Sequence, residues 1–144
     1  MKFVNGNVYE GDWKADKKRG KGTYKFANGD IYEGDWKDDM MEGRGTYKFA
    51  NGDIYEGDWK DDKMEGRGTL KWTDGDIYEG DFMADKRQGR GTLKYANGDK
   101  LDGLFIDNFI TTGTFTSFKD GLTFDGKWRK KGVVCDCMKY CFSF

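Results

Sequence analysis

The stretch Lys25–Asp39, KFANGDIYEGDWKDD, returns letter for letter as Lys48–Asp62. Carboxylates and glycines crowd it, so it is either a reactive site made twice or a building unit whose acids have structural partners. The rest of the chain decides between them. Tyr-Glu-Gly occurs at Tyr9, Tyr32, Tyr55 and Tyr78, and continues as Leu101-Asp-Gly and Phe124-Asp-Gly, always 23 residues on. The following aromatic keeps step as Trp13, Trp36, Trp59, Phe82, Phe105 and Trp128. Gly-x-Gly-Thr recurs at Gly20, Gly43, Gly66 and Gly89, and then fades at Thr112-Gly113-Thr114. A fixed period of this size means stacked supersecondary units, none able to bury its own face alone.

Within a unit, Ile31–Trp36 and Arg44–Phe49 alternate with period two and predict strands. Asn51-Gly52-Asp53 predicts a short hairpin, with Gly52 free to take positive φ, and Asp38–Gly43 predicts a wider loop. The expected fold is all-β: an elongated, single-layer antiparallel meander of 23-residue hairpins over residues 1–128, with an atypical C-terminal cap or tail at 129–144. Eleven or twelve strands at about 4.8 Å each give a ribbon roughly 55 Å long. The loop lengths predict that Tyr32 faces Phe49, Gly34 faces Tyr47 and Trp36 faces Gly45. On the next strand Phe49 faces Tyr55, Tyr47 faces Gly57 and Gly45 faces Trp59. Each glycine then lets a ring lie over bare backbone. One face carries the aromatic row Tyr32, Phe49, Tyr55, Trp72, Tyr78 and Tyr95. The other carries charges, with Lys48 between Glu33 and Glu56.

Composition narrows the function. Net charge is −1 and histidine is absent, which removes the electrostatic case for nucleic acid and the commonest general base and metal ligand. No apolar run nears the roughly 18 residues of a membrane span, and Met1 leads straight into repeat sequence, so no signal peptide is expected. Three cysteines in the last ten residues make a poor disulfide framework and predict a reducing, cytoplasmic setting. Catalysis by paired acids needs two carboxylates in unlike environments, whereas every unit here repeats one environment. Asp74–Asp81 opens like an EF-hand loop but puts Tyr78 and Glu79 where a ligand and a glycine belong. Gly20-Lys21-Gly22 lacks the spacing of a nucleotide loop. No enzyme activity, metal or cofactor is expected.

The segment Tyr55–Asp76, YEGDWKDDKMEGRGTLKWTDGD, resembles the MORN (membrane occupation and recognition nexus) repeat: Tyr-x-Gly-x-Trp, a turn, Gly-x-Gly, then a strand ending in Asn/Asp-Gly. The resemblance spans about residues 5–128 and is sharpest in the first four units. Where the family often has histidine before its second glycine block, this chain has Arg19, Glu42, Glu65 and Gln88. The resemblance implies a scaffold, adaptor or oligomerising module of cytoskeletal, ciliary or membrane-junction assemblies.

A single layer leaves part of its aromatic face uncovered, and exposed apolar surface marks partner sites. Tyr32, Trp36, Phe49, Tyr55, Trp59, Trp72, Tyr78 and Tyr95 are therefore the expected contacts for a protein partner, an extended peptide or a helix. Replacing Tyr55 and Tyr78 by Ser is expected to weaken capture without unfolding the ribbon. The tail RKKGVVCDCMKYCFSF has two readings. It is a cap whose cysteines are small buried hydrophobes, or a tether prenylated at Cys141 of a C-a-a-X end and acylated at Cys135 and Cys137 beside Arg129–Lys131. A thiolate metal site is one ligand short unless Asp136 or a second chain completes it. The first strand edge is expected to be open to a second copy of the chain.

Overall fold

The computed structural model describes residues 1–127, so the tail with Cys135, Cys137 and Cys141, and the cap, lie outside the described residues. Eleven strands follow one another: β1 Val8–Lys14, β2 Lys17–Lys25, β3 Ile31–Lys37, β4 Met40–Lys48, β5 Ile54–Lys60 and β6 Lys63–Lys71. They continue as β7 Ile77–Met83, β8 Lys86–Lys94, β9 Lys100–Ile106, β10 Phe109–Thr116 and β11 Thr123–Lys127. Each pairs antiparallel with its chain neighbours in one open sheet ordered β1 to β11. This is the expected all-β meander.

The register differs from expectation by two residues. Tyr32 pairs with Tyr47 and Gly34 with Gly45, and on the next strand Tyr47 pairs with Tyr55 and Gly45 with Gly57. The cause lies in the turns. Asp38 and Asp39, at φ 48° and 69°, close β3 onto β4 as a two-residue primed turn in place of the wide loop. Aspartate tolerates the left-handed region better than most residues. The surplus length is absorbed in a bulge: between the Gly34–Gly45 and Trp36–Met41 pairs, β3 contributes Asp35 alone while β4 contributes Glu42, Gly43 and Arg44. Gly43, at φ 69°, turns there, and the Asp35 carboxylate accepts the Arg44 N–H at 3.0 Å.

At the other end of the strands, Phe49 belongs to the hairpin loop rather than to the ladder opposite Tyr55. Its N–H donates to the Asp53 carbonyl at 2.9 Å and its carbonyl accepts the Gly52 N–H at 2.9 Å. Gly52 sits at φ 99°, as a three-residue loop with a terminal bulge requires.

Because the register shifts by an even number, each side chain keeps its expected face but meets different neighbours. Glycine pairs with glycine across all eleven strands, from Gly11–Gly22 through Gly57–Gly68 to Gly113–Gly126. Tyrosine rings lie over this furrow: a Cβ built on Gly68 would fall 2.4 Å from Tyr55 Oη. On the polar face Thr46, not Lys48, stands between Glu33 and Glu56, and Lys48 stands between Ile31 and Ile54.

Units are also fastened to one another at both strand ends. Asp39, Asp62, Asp85 and Asn108 each reach back one unit and accept a backbone N–H, from Lys18, Met41, Met64 and Arg87, at 2.8–2.9 Å. At the opposite end Asn7, Asp30, Asp53, Asp76 and Asp99 accept the N–H of Ala27, Ala50, Thr73, Ala96 and Phe118. The recurring acids are thus backbone caps that lock each hairpin to the next. Their structural role was expected, but the partners are chiefly backbone amides rather than lysines.

Candidate functional site

The aromatic face has two tiers. In the lower, Tyr9, Tyr32, Tyr55 and Tyr78 have no exposure at all. Their hydroxyls donate to the carbonyls of Asp12, Asp35, Asp58 and Asp81 at 2.8–3.0 Å, three residues along each strand. A ring lying flat over paired glycines brings its hydroxyl to this carbonyl, so burial leaves no polar atom unmet.

Each of these rings is gripped edge-on from two sides. Tyr32 meets Trp36 of its own unit at 5.2 Å and Trp59 of the next at 5.3 Å, and Tyr55 meets Trp59 at 5.2 Å and Phe82 at 5.0 Å. Trp36 and Trp59 also donate their indole N–H to the carbonyls of Gly22 and Gly45. The ladder makes each unit depend on its neighbour. Trp36 is 6% exposed against the preceding unit, whereas Trp13, on the edge strand β1, is 42% exposed. Edge-to-face pairs contribute about 0.5–1.5 kcal/mol beyond their buried area.

Tyr32, Tyr55, Tyr78, Trp36 and Trp59 therefore form the core of the sheet, the tyrosines presenting no surface to a partner and the tryptophans only 6%. Substituting Tyr55 and Tyr78 by Ser would strike that core, contrary to the expectation that the ribbon survives it. Burial holds the Tyr32 and Tyr55 hydroxyls well above the ordinary tyrosine range and pushes Tyr78 up to about 12.

The upper tier is partly exposed. Phe26, Phe49, Trp72 and Tyr95 recur at the hairpin loops 23 residues apart, and Phe118 follows at 74% exposure. Phe26, Phe49 and Trp72 lean on the buried core, through contacts such as Tyr47–Phe49 at 4.7 Å and Phe26–Tyr47 at 5.8 Å. Tyr47 is pinned by its hydroxyl, which donates to Asp30 at 2.7 Å. Of the residues expected at a partner surface, Phe49, Trp72 and Tyr95 stand on this tier. Phe26 and Tyr47 belong with them. Their period was visible in the sequence, but only the register separates them from the buried tyrosines.

A long side chain from the turn strand closes the space beside each ladder ring. Lys18 lies 5.1 Å over Trp36 and 5.3 Å over Tyr24. Met41 and Met64 take that place in the next units. Arg87 takes it in the fourth, 5.5–5.6 Å from Trp72, Tyr78 and Phe105, where burial holds its guanidinium below its ordinary range.

The residues just before the second glycine block have a structural use. Glu42, Glu65 and Gln88 accept the turn N–H of Asp61, Ala84 and Asp107 in the following unit at 3.0–3.1 Å.

The polar face holds an open trough of about 690 Å³ lined by Glu10, Thr23, Glu33, Thr46 and Glu56, with Lys21, Arg44 and Lys48 beside them. Glutamate and threonine alternate along it strand by strand. Equivalent acids lie two strands apart, roughly 9.6 Å, and Glu33 and Glu56 each stand between two threonines. Among the described residues no cluster of His, Cys, Asp and Glu is placed to hold a metal ion. No helix among them is long and apolar enough to cross a membrane.

The comparison with protein families agrees with this geometry. The family model described as MORN repeat matches four consecutive units, residues 9–31, 32–54, 55–77 and 78–100, more than half of the chain. No curated protein matches the chain. Among solved structures, the TCP domain of SAS-4 from Drosophila melanogaster, solved with a proline-rich motif of Ana2, is similar at 15% identity. That match covers 88% of this chain and 81% of that one, with a TM-score of 0.41. The tyrosine ladder, the glycine furrow and the four matched units together place the chain in the MORN repeat family.

Proposed function

We propose that this protein is a non-enzymatic scaffold or adaptor that holds a protein partner, an extended peptide or a helix, along the upper aromatic tier of its sheet. One observation carries the reading. Phe26, Phe49, Trp72 and Tyr95 remain partly exposed in a periodic row, seated on a rigid core that a binding event need not reorganise. Tyrosine, tryptophan and phenylalanine are the usual anchors of protein interfaces, and a preformed row lowers the ordering cost of association. Repeats of this family generally serve as interaction scaffolds. The setting we assign, a cytoskeletal or ciliary assembly of the cytoplasm, extends that family behaviour.

The test is capture by the immobilised full chain, comparing wild type with Phe49→Ser/Trp72→Ser/Tyr95→Ser. These side chains lie outside the buried tyrosine ladder but Phe49 and Trp72 lean on it, so the variant is expected to keep its fold at a lower Tm, checked by far-ultraviolet circular dichroism. It is expected to lose the proteins retained specifically by wild type. An unchanged retained set removes the aromatic tier as the binding surface.

A further inference from the structure

In a tandem array, a unit that breaks a rule its siblings keep is informative, because the siblings show what structure alone requires. On the polar face, Asp12, Asp35, Asp58 and Asp81 hold one position at 23-residue steps; the next holder is Leu104. The basic neighbours of that column are Lys21, Arg44, Arg67 and Arg90. Lys21 pairs with Asp35, Arg44 with Asp58 at 3.2 Å, and Arg67 with Asp81 at 3.3 Å. Arg90 stands opposite Leu104 in the register and has no carboxylate partner among the described residues.

A second column changes in the same place. Lys14, Lys37 and Lys60 give way to Met83 and then Ile106. Leu104 and Ile106 flank Phe105, which is 2% exposed on the aromatic face, so both project from the opposite face of β9. They are 41% and 46% exposed, and Met83 is 53% exposed. The β9–β10 bulge has one extra residue, Thr111, where the earlier bulges have two, so the amide-accepting role that aspartate plays in those units is lost with it. That change does not call for exposed apolar side chains, which fill no core. The result is an apolar patch beside an unpaired guanidinium, on a surface that is otherwise densely charged.

We propose that this patch docks a peptide segment of a partner protein that carries a carboxylate flanked by bulky apolar side chains. The carboxylate takes the position beside Arg90 that aspartate fills in earlier units, and the apolar residues cover Leu104 and Ile106. Charge complementarity selects this occupant, because a basic or purely apolar segment would leave Arg90 buried without a partner. The site is on the face opposite the aromatic tier and does not rest on that proposal.

The array itself supplies the test variants. Leu104→Asp and Ile106→Lys each restore the residue of earlier units, so both are expected to fold as wild type does. A displayed library of random 12-residue peptides is selected on the full chain, and the selected peptides are measured by fluorescence anisotropy. The expected sequences place Asp or Glu next to Leu, Ile, Phe or Met. They are expected to bind Leu104→Asp about tenfold or more weakly, Ile106→Lys more weakly, and the aromatic-tier triple variant as tightly as wild type. Amide replacement of the peptide's acid is expected to weaken binding to wild type. The proposal is overturned if no peptide is enriched, if the acid has no effect, or if Leu104→Asp binds as wild type does. It is also overturned if the wild-type chain sediments as a dimer that Leu104→Asp dissociates, which would make a second copy the occupant.

Discussion

Gly68→Ala isolates the fit between the tyrosine ladder and the glycine furrow. A Cβ at Gly68 would lie 2.4 Å from Oη, 2.5 Å from Cε2 and 2.6 Å from Cζ of Tyr55, all three nearest atoms belonging to that ring. Carbon atoms rest at about 3.5–4.0 Å, so the ring must retreat by about 1 Å. Retreat strains the hydrogen bond to Asp58 at 2.8 Å and presses the ring on Trp59 and Phe82, which hold it from either side. Overpacking costs roughly 1–3 kcal/mol and the lost bond about 1 kcal/mol. The expected total is about 3 kcal/mol, or a Tm lower by roughly 6–12 °C for a chain of this size. Thermal and urea unfolding followed by circular dichroism measure it. The decisive comparison is the same substitution in a Tyr55→Ala background, where the obstructing ring is gone. There Gly68→Ala should cost almost nothing, or stabilise by up to about 1 kcal/mol through its lower chain entropy. A cost below about 0.5 kcal/mol in the wild-type background, or an equal cost in both, would mean that the Tyr55 ring is not what excludes a side chain at Gly68.

Three further outcomes follow from the same contacts. Neutral buried tyrosines contribute stability that is fully present below the ordinary tyrosine pKa and lost as pH rises toward about 12, where Tyr78 ionises in the folded chain. Tm should hold steady to about pH 9.5 and then fall, each such tyrosine adding a slope of about 1.4 kcal/mol per pH unit, with Tyr78→Phe showing the shallower decline. Asp62→Ala removes the acceptor for the Met41 N–H at 2.8 Å and should cost about 1–2 kcal/mol in urea unfolding, whereas Asp62→Asn should be nearly neutral, since Asn108 does the same for Arg87. Glu65→Gln should likewise leave Tm unchanged, since Gln88 already accepts the N–H of Asp107 at 3.0 Å where Glu65 accepts that of Ala84; a large loss would mean that the charge, rather than the hydrogen bond, matters there.

Much of this architecture was legible in the residues. Period-two alternation in Ile31–Trp36 and the fixed 23-residue step specify strands, faces and a meander, and the glycines announced that rings lie on bare backbone. The register was not legible. It depends on two consecutive aspartates, Asp38 and Asp39, both adopting positive φ, and on the Glu42–Arg44 bulge that takes up the surplus. Aspartate tolerates such φ values, but the letters DD alone do not choose that turn over a longer loop. That two-residue difference is what divides the aromatic face: it sends Tyr32 and Tyr55 into the furrow and leaves Phe49 and Trp72 at the loop ends. Alternation alone treats them as one row. Leu104 was plain in the sequence, but its meaning waited on the pairing that puts it opposite Arg90.

In the proposed role, the fully buried tyrosines support the fold and the partly exposed loop-end aromatics hold the partner. Hydrogen exchange by mass spectrometry, with the full chain free and then saturated with a protein it captures, tests both halves at once. Added protection is expected at residues 24–28, 47–51, 70–74 and 93–97, in step with the repeat, and none at the turns around Asp38, Asp61 and Ala84. Protection confined to those turns, or lacking the 23-residue step, would contradict the proposed role.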